Sequence, residues 1–217
     1  EQILNYDPAK LILIEKDTNL AKILEKKYIS DSRVKVFNKD IFSFNIEKII
    51  KKNTIIFGNL PYNISTQILV KFIGFKKWPP NYKKLIFMFQ KEVAERILAE
   101  NKTSQYGRLK IITNWRLKIL DKFNISKNCF FPKPKVDSTV LSFLPKKTKY
   151  KFKKMENLEK ITHAFFSKKR KMINKTFAKL FKNPLLIAKQ LNLDLSHRPN
   201  QISEDDFYKI TEKFEIK

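Results

Sequence analysis

TIIFGNLPY, residues 54–62, runs from a β-favouring segment through a glycine into a turn stiffened by proline. Thr54 to Phe57 has the length and composition of a buried strand. Pro61 fixes its own φ and restricts Leu60, so the chain leaves that strand by a rigid turn. A helix is predicted from near Ser65, with Ile68, Leu69 and Phe72 on one face.

The same alternation extends in both directions. Upstream, residues 10–15 (KLILIE) are a short apolar run ending in an acid, which suits a buried parallel strand. Residues 18–28 place Leu20, Ile23, Leu24 and Tyr28 at helical spacing, and Val34 and Val36 open a second strand that exits through Asn38-Lys39-Asp40. Downstream, Leu85 to Phe89 reads as a strand, and Lys91 to Ala99 and Tyr106 to Asn114 as helices. Leu117 to Leu120 and Ser138 to Phe143 then look like two strands with no long helix between them, able to pair antiparallel at one edge. Strand-helix alternation closed by such a pair predicts an open α/β sheet of Rossmann-like type. After a basic linker at 145–154, helical patterns occupy 156–166, 169–181, 184–191 and 204–214, with Ser203 as cap of the last. The expected organisation is an α/β domain over residues 1–145 and a small helical domain over 154–217.

Formal net charge is +25, from 46 basic and 21 acidic residues. Such an excess suits a polyanionic partner through phosphate contacts and counterion release. Lysine dominates the basic residues, a bias that codon composition also produces. The single cysteine, Cys129, excludes an internal disulfide framework and suits a reducing, cytoplasmic setting. No run approaches the ~20 apolar residues of a membrane helix. His163 and His197 have no metal partners at ligand spacing, so no metal is expected.

In open α/β sheets ligands bind outside the strand ends. Glu15 follows one strand and can accept from ribose hydroxyls; Asp40 follows the next and can accept from an adenine amino group; Asn59 follows the third. Each also fits an ordinary cap or solvated turn, and the coincidence at successive strand ends is the signal. The turn Asn59-Leu60-Pro61-Tyr62 carries the sharper chemistry. The exocyclic amino group of adenine is a poor nucleophile because its lone pair is delocalised into the ring. The Asn59 side-chain oxygen and a carbonyl at Leu60 or Pro61 can accept both N–H bonds, and Tyr62 offers a face for an unstacked base. A plain strand-to-helix turn would use the same four residues.

Longer blocks carry a family resemblance. GNLPYNIST (58–66), FQKEVAERILA (89–99), YGRLKI (106–111), FFPKPKVDSTV (130–140) and FFSKKRKMINKTF (165–177) occur in order. Together they resemble the ribosomal small-subunit adenine N6,N6-dimethyltransferases and their large-subunit relatives, over nearly the whole chain. The resemblance implies a Rossmann-like class I methyltransferase sheet with a small C-terminal all-helical domain. It also implies S-adenosyl-L-methionine as cofactor and 16S rRNA in the small subunit as partner, during ribosome biogenesis, for a monomeric enzyme.

By the same resemblance, Glu15 with Lys16 holds the cofactor's ribose, and Asp40 with Ile41 holds and flanks its adenine. Asn59 lies between cofactor and target, Leu60 and Pro61 shape the pocket, and Tyr62 stacks on the flipped adenine. Phe130 is the aromatic on the other face, with Phe131 the competing choice. Lys168, Lys169, Arg170 and Lys171 contact RNA phosphates from a basic helix opening the C-terminal domain. One departure stands out. Family members carry a glycine-rich loop after their first strand, whereas the three glycines here are Gly58, Gly74 and Gly107. EQILNYDPAK (1–10) resembles the tail of the helix that follows that loop, so the chain is expected to lack that strand and loop and to bind cofactor weakly alone. A non-catalytic ribosome-assembly factor and a large-subunit methyltransferase are the alternatives. A DNA adenine methyltransferase fits less well, because Leu60 stands where those enzymes carry proline.

Overall fold

The computed structural model describes residues 1–216. They form two compact units, Glu1–Ile50 and Lys51 onward.

The first unit is a strand-helix-strand element. Strand β1 (Leu11–Glu15) leads into helix α1 (Thr18–Lys27) and returns as β2 (Val34–Asn38), parallel to β1 in register from Leu11↔Val34 to Glu15↔Asn38. Asp17 caps α1 by accepting from the Leu20 amide at 2.9 Å, and Lys26 and Lys27 sit in its last turn, opposite the helix dipole. Arg33 bonds Asp31 and Asp7, tying the entry of β2 to the segment before β1.

The second unit is built on a four-stranded mixed sheet. Its elements are β3 (Thr54–Asn59), α2 (Ser65–Ile73), β4 (Tyr82–Gln90), α3 (Lys91–Leu98), α4 (Arg108–Arg116), β5 (Leu117–Ile125) and β6 (Ser138–Pro145). The strand order is β3-β4-β6-β5: β4 runs parallel to β3, and β6 is antiparallel to both β4 and β5. The expected antiparallel pair is therefore β5 and β6, with β6 inserted next to β4. One sheet face is sealed by aromatics: Phe72 of α2 meets Phe87 at 5.6 Å and Tyr82 at 6.0 Å, and Phe89 meets Phe143 at 6.3 Å.

Helices α5 (Met155–Phe166), α6 (Asn174–Leu180), α7 (Pro184–Leu191) and α8 (Glu204–Ile216) follow. Ser203 caps α8 as expected, accepting from the Asp206 amide at 3.1 Å. A buried and a partly buried bond join these helices to α4: Tyr208 donates to the Ile111 carbonyl at 2.7 Å, and Asn114 to Glu204 at 2.6 Å. No helix among the described residues is long and apolar enough to cross a membrane.

Several expectations change. β1 and β3 are not buried: every residue of β1 is half-exposed, and Ile55 and Phe57 of β3 are 46% and 53% exposed. Each is an edge strand with one hydrogen-bonded neighbour, so it lacks the flanking strand and face cover that bury a central parallel strand. β4 starts at Tyr82, its onset masked by Lys83 and Lys84, and β5 runs on to Ile125 past a bulge at Leu120, where polar residues conceal an exposed edge. The linker at 145–154 is pinned down: Trp115 donates to the Tyr150 carbonyl at 3.0 Å and stacks on Phe152 at 4.9 Å. The basic run 168–171 is a turn between α5 and α6 rather than part of a helix.

Candidate active site

Three acids of the first unit, Glu15, Asp17 and Asp40, lie at the carboxyl end of its strand pair. Glu15 ends β1 opposite Asn38, whose side-chain amide donates to the carbonyls of Glu15 and Lys16 at 3.0 and 3.1 Å. These bonds extend the pairing beyond the ladder and hold both strand exits. The Glu15 carboxylate is oriented through Oε1, which accepts from the Asp17 amide at 2.8 Å. Asp40, just past β2, accepts from the Phe42 amide at 2.8 Å and pairs with the Lys16 ammonium at 2.8 Å. Ile41 beside it is half-buried. Glu15, Lys16 and Asp40 thus lie at adjacent parallel strand exits, as their order implied. Carboxylates so placed form an acceptor set for hydroxyl and amino groups. The Lys16 side chain is 77% exposed, so this ion pair is weak and yields readily to a ligand.

In the second unit the carboxyl ends of β3 and β4 share an edge with the start of β6 and the end of β5, because β6 runs antiparallel to its neighbours. The NLPY turn and the β5–β6 connection, residues 126–137, therefore emerge at the same edge. Asn59 pairs with Met88 through its backbone, while its side chain is exposed and makes no hydrogen bond among the described residues. The turn after it is fastened at several points. The Ile64 amide donates to the Pro61 carbonyl at 3.1 Å, Ser65 Oγ donates to the Tyr62 carbonyl at 3.1 Å, and the Tyr62 hydroxyl lies 2.7 Å from Ser138 Oγ. Gly58 is required by close packing: a Cβ there would lie 2.6 Å from Leu60 Cδ2 and 2.8 Å from Phe87 Cδ1.

Phe130 follows a 3-10 turn, Lys127–Cys129, and is half-buried, whereas Phe131 projects fully into solvent. That turn is anchored from β6: the Lys127 amide donates to the Asp137 carboxylate at 2.9 Å. A cleft at this edge is lined by Lys91, Lys127 and Lys135 and by Glu92, Glu95 and Asp137, giving it both cations and acids. Lys168, Lys169, Arg170 and Lys171 are all exposed on the turn after α5, where Lys169 donates to the Ser104 carbonyl. His163 and His197 have local partners, Arg108 at 3.4 Å and Asp194 at 3.6 Å. Sequence reasoning assigns no role to Asp137 or Ser138. Both lie in the quoted block 130–140, yet Ser138 meets Tyr62 from 76 positions away, and no local pattern reports such a bond.

Comparison with known proteins bears on the family and the fold. A family model described as ribosomal RNA adenine dimethylase matches residues 1–215. Ribosomal RNA small subunit methyltransferase A of Pelagibacter ubique is 42% identical over 216 residues, covering 98% of this chain and 80% of the relative. The protein of the same name from Rhizobium etli is 34% identical over 209 residues, covering 94% of this chain and 74% of its own. Among solved structures, a dimethyladenosine transferase from Plasmodium falciparum superposes with a TM-score of 0.76 at 25% identity, covering 94% of this chain and 82% of that one. The 23S rRNA methyltransferase ErmE, at 18% identity and a TM-score of 0.61, shares the fold. The architecture is thus the Rossmann-like methyltransferase sheet followed by helices.

Proposed function

The chain belongs to the ribosomal RNA adenine dimethylase family, and from that premise we propose that Asn59, Leu60, Pro61, Tyr62 and Phe130 receive an adenine of small-subunit 16S rRNA for methylation at N6. The enzyme is an rRNA adenine dimethyltransferase. The observation that carries the site assignment is the exposed Asn59 side-chain amide, with no hydrogen bond among the described residues, on a turn fastened through Pro61 and Tyr62.

S-adenosyl-L-methionine, when bound, supplies an electrophilic methyl group. The acceptor chemistry of the first unit fits the nucleoside half of that cofactor. Glu15, beside Lys16, accepts from ribose hydroxyls, and Asp40, flanked by Ile41, accepts from the adenine amino group. No glycine occurs in residues 1–50, so these residues address the ribose and base rather than the methionine part.

At the second unit, the Asn59 oxygen accepts one N–H of the target amino group and a carbonyl at Leu60 or Pro61 accepts the other. Two acceptors on one nitrogen favour a tetrahedral geometry whose lone pair is free to act as a nucleophile. Catalysis then comes from orientation and electrostatics rather than from a strong base. Tyr62 and Phe130 hold the base by stacking once it has left the RNA stack. Lys168, Lys169, Arg170 and Lys171 bind phosphates, and the helical region 154–217 serves as the rRNA-binding part of a monomer that works in the cytoplasm.

The test is methyl transfer from labelled cofactor to undermethylated small subunits by the full-length protein, with Asn59→Ala alongside. Incorporation is expected in the unmutated protein and a loss of at least about a hundredfold in the variant, the scale seen when one preorganised polar group is removed. Incorporation that ignores Asn59→Ala refutes the site.

A further inference from the structure

Asp137 and Ser138 are adjacent in sequence, yet each reaches a different wall of the proposed adenine slot. Ser138 is 1% exposed and opens β6, where its backbone is paired with Gln90 on one side and Ile125 on the other. Its hydroxyl position is therefore set by the sheet. That hydroxyl lies 2.7 Å from the Tyr62 hydroxyl, and either group can donate. A tyrosine on a turn is otherwise free to swing about two side-chain torsions. Fixing the far end of the ring, as well as its Cα, leaves the stacking face in one orientation.

Asp137 acts on the opposite side. Its carbonyl accepts from the Lys91 amide at 3.0 Å, which locks it to the first residue of α3. Its carboxylate accepts from the Lys127 amide at 2.9 Å. Lys127 opens the 3-10 turn that delivers Phe130, and the Phe130 amide donates back to the Lys127 carbonyl at 3.4 Å. The two aromatics come from segments far apart in sequence, and both are tied to one dipeptide at the start of a central strand.

We propose that Asp137-Ser138 is the positioning element of the target site: Ser138 sets the Tyr62 ring and Asp137 sets the turn bearing Phe130, so that one strand end fixes the two stacking faces relative to each other. The proposal rests on the assignment of Tyr62 and Phe130 to the adenine site made above. Neither residue touches the reacting atoms. Their effect lies on the geometry of the bound base, and hence on turnover, rather than on capture of the RNA, which basic residues elsewhere perform.

The experiment compares S138A, S138T, Y62F, the double variant S138A/Y62F, D137A, D137N and Y62A in the full-length protein. The readouts are kcat and KM for undermethylated small subunits, together with thermal unfolding. Loss of one hydrogen bond is expected to lower kcat about fivefold in S138A and in Y62F, with KM unchanged. The double variant should be no slower than the slower single, because both remove the same bond. S138T and D137N keep the hydroxyl and the acceptor oxygen and should retain turnover, while D137A should lose it. Additive losses in the double variant overturn the positioning role. So does an S138A enzyme with normal kcat beside an impaired Y62A, which leaves the stacking assignment standing. A Y62A enzyme with normal kcat removes the stacking assignment and the proposal together. A lowered unfolding temperature in S138A with unchanged kcat assigns the bond to stability alone and overturns the proposal.

Discussion

Replacing Gly58 with alanine inserts one methyl group between the core of the second unit and the proposed catalytic turn. The new Cβ would lie 2.6 Å from Leu60 Cδ2, 2.9 Å from Leu60 Cγ and 2.8 Å from Phe87 Cδ1, where ordinary contact begins at 3.4 Å. Phe87 has no room to retreat: it is 1% exposed and packed against Phe72 at 5.6 Å. The Leu60 side chain must therefore give way, by roughly 0.8 Å, and it stands between Asn59 and Pro61. Overpacking of this kind costs about 1–3 kcal/mol. For a unit of this size that lowers the unfolding temperature by about 2–12 °C, at about 2–4 °C per kcal/mol. The catalytic cost should be larger, because a misplacement of about 1 Å at a reacting centre can cost about a hundredfold in rate. G58A should therefore be folded, bind rRNA normally and lose about one to two orders of magnitude in kcat/KM. Methyl transfer to undermethylated subunits and a thermal melt measure both sides. A kcat/KM within about twofold of the unmutated protein would refute the claim that close packing at Gly58 sets the turn.

Two further outcomes follow from the surface chemistry. Changing Lys168, Lys169, Arg170 and Lys171 together to glutamine should weaken rRNA binding and flatten its salt dependence, by about 0.7–0.9 in log–log slope for each phosphate no longer neutralised; filter binding at several salt concentrations reads the slope, and an unchanged slope removes these residues from the interface. Asp205 is held at about 2, below the usual carboxylate range, by the Tyr150 hydroxyl and then by Lys209. A depressed folded-state value contributes stability above the unfolded value of 3.8, lost as pH falls from there towards about 2. Its side chain is 46% exposed, so the contribution is small. Unfolding midpoints across that acid window should fall less steeply in D205N, and identical slopes would deny the Tyr150–Asp205 bond its role.

The elements that can be read along the chain are those whose periodicity is uninterrupted. α1, α2 and the strand before the NLPY turn announce themselves by apolar spacing and by Pro61. The starts and ends of β4 and β5 do not, because Lys83 and Lys84 interrupt the apolar run of β4, and Asp121 and Lys122 occupy exposed positions on the edge strand β5. The turn at 168–171 reads as helix because it holds neither glycine nor proline to mark a break between the helical patterns on either side. Tyr150 and Phe152 are hidden in a lysine-rich linker, although both rings pack against the helices.

By itself the sequence determined the order of strands and helices, the acids at successive strand exits, and the Asn59-Leu60-Pro61-Tyr62 turn that we propose receives an adenine amino group. Those properties are local: they depend on spacing, side-chain type and the torsional limits of proline. The tertiary structure decided which strands are edges, how β6 enters between β4 and β5, and that Ser138 meets Tyr62. Those depend on pairing between segments distant in sequence, whose energy comes from backbone hydrogen bonds and burial that only the folded chain makes. The Asn59-Leu60-Pro61-Tyr62 turn is legible as chemistry, while the strand end that holds its tyrosine in place becomes visible only once the sheet is assembled.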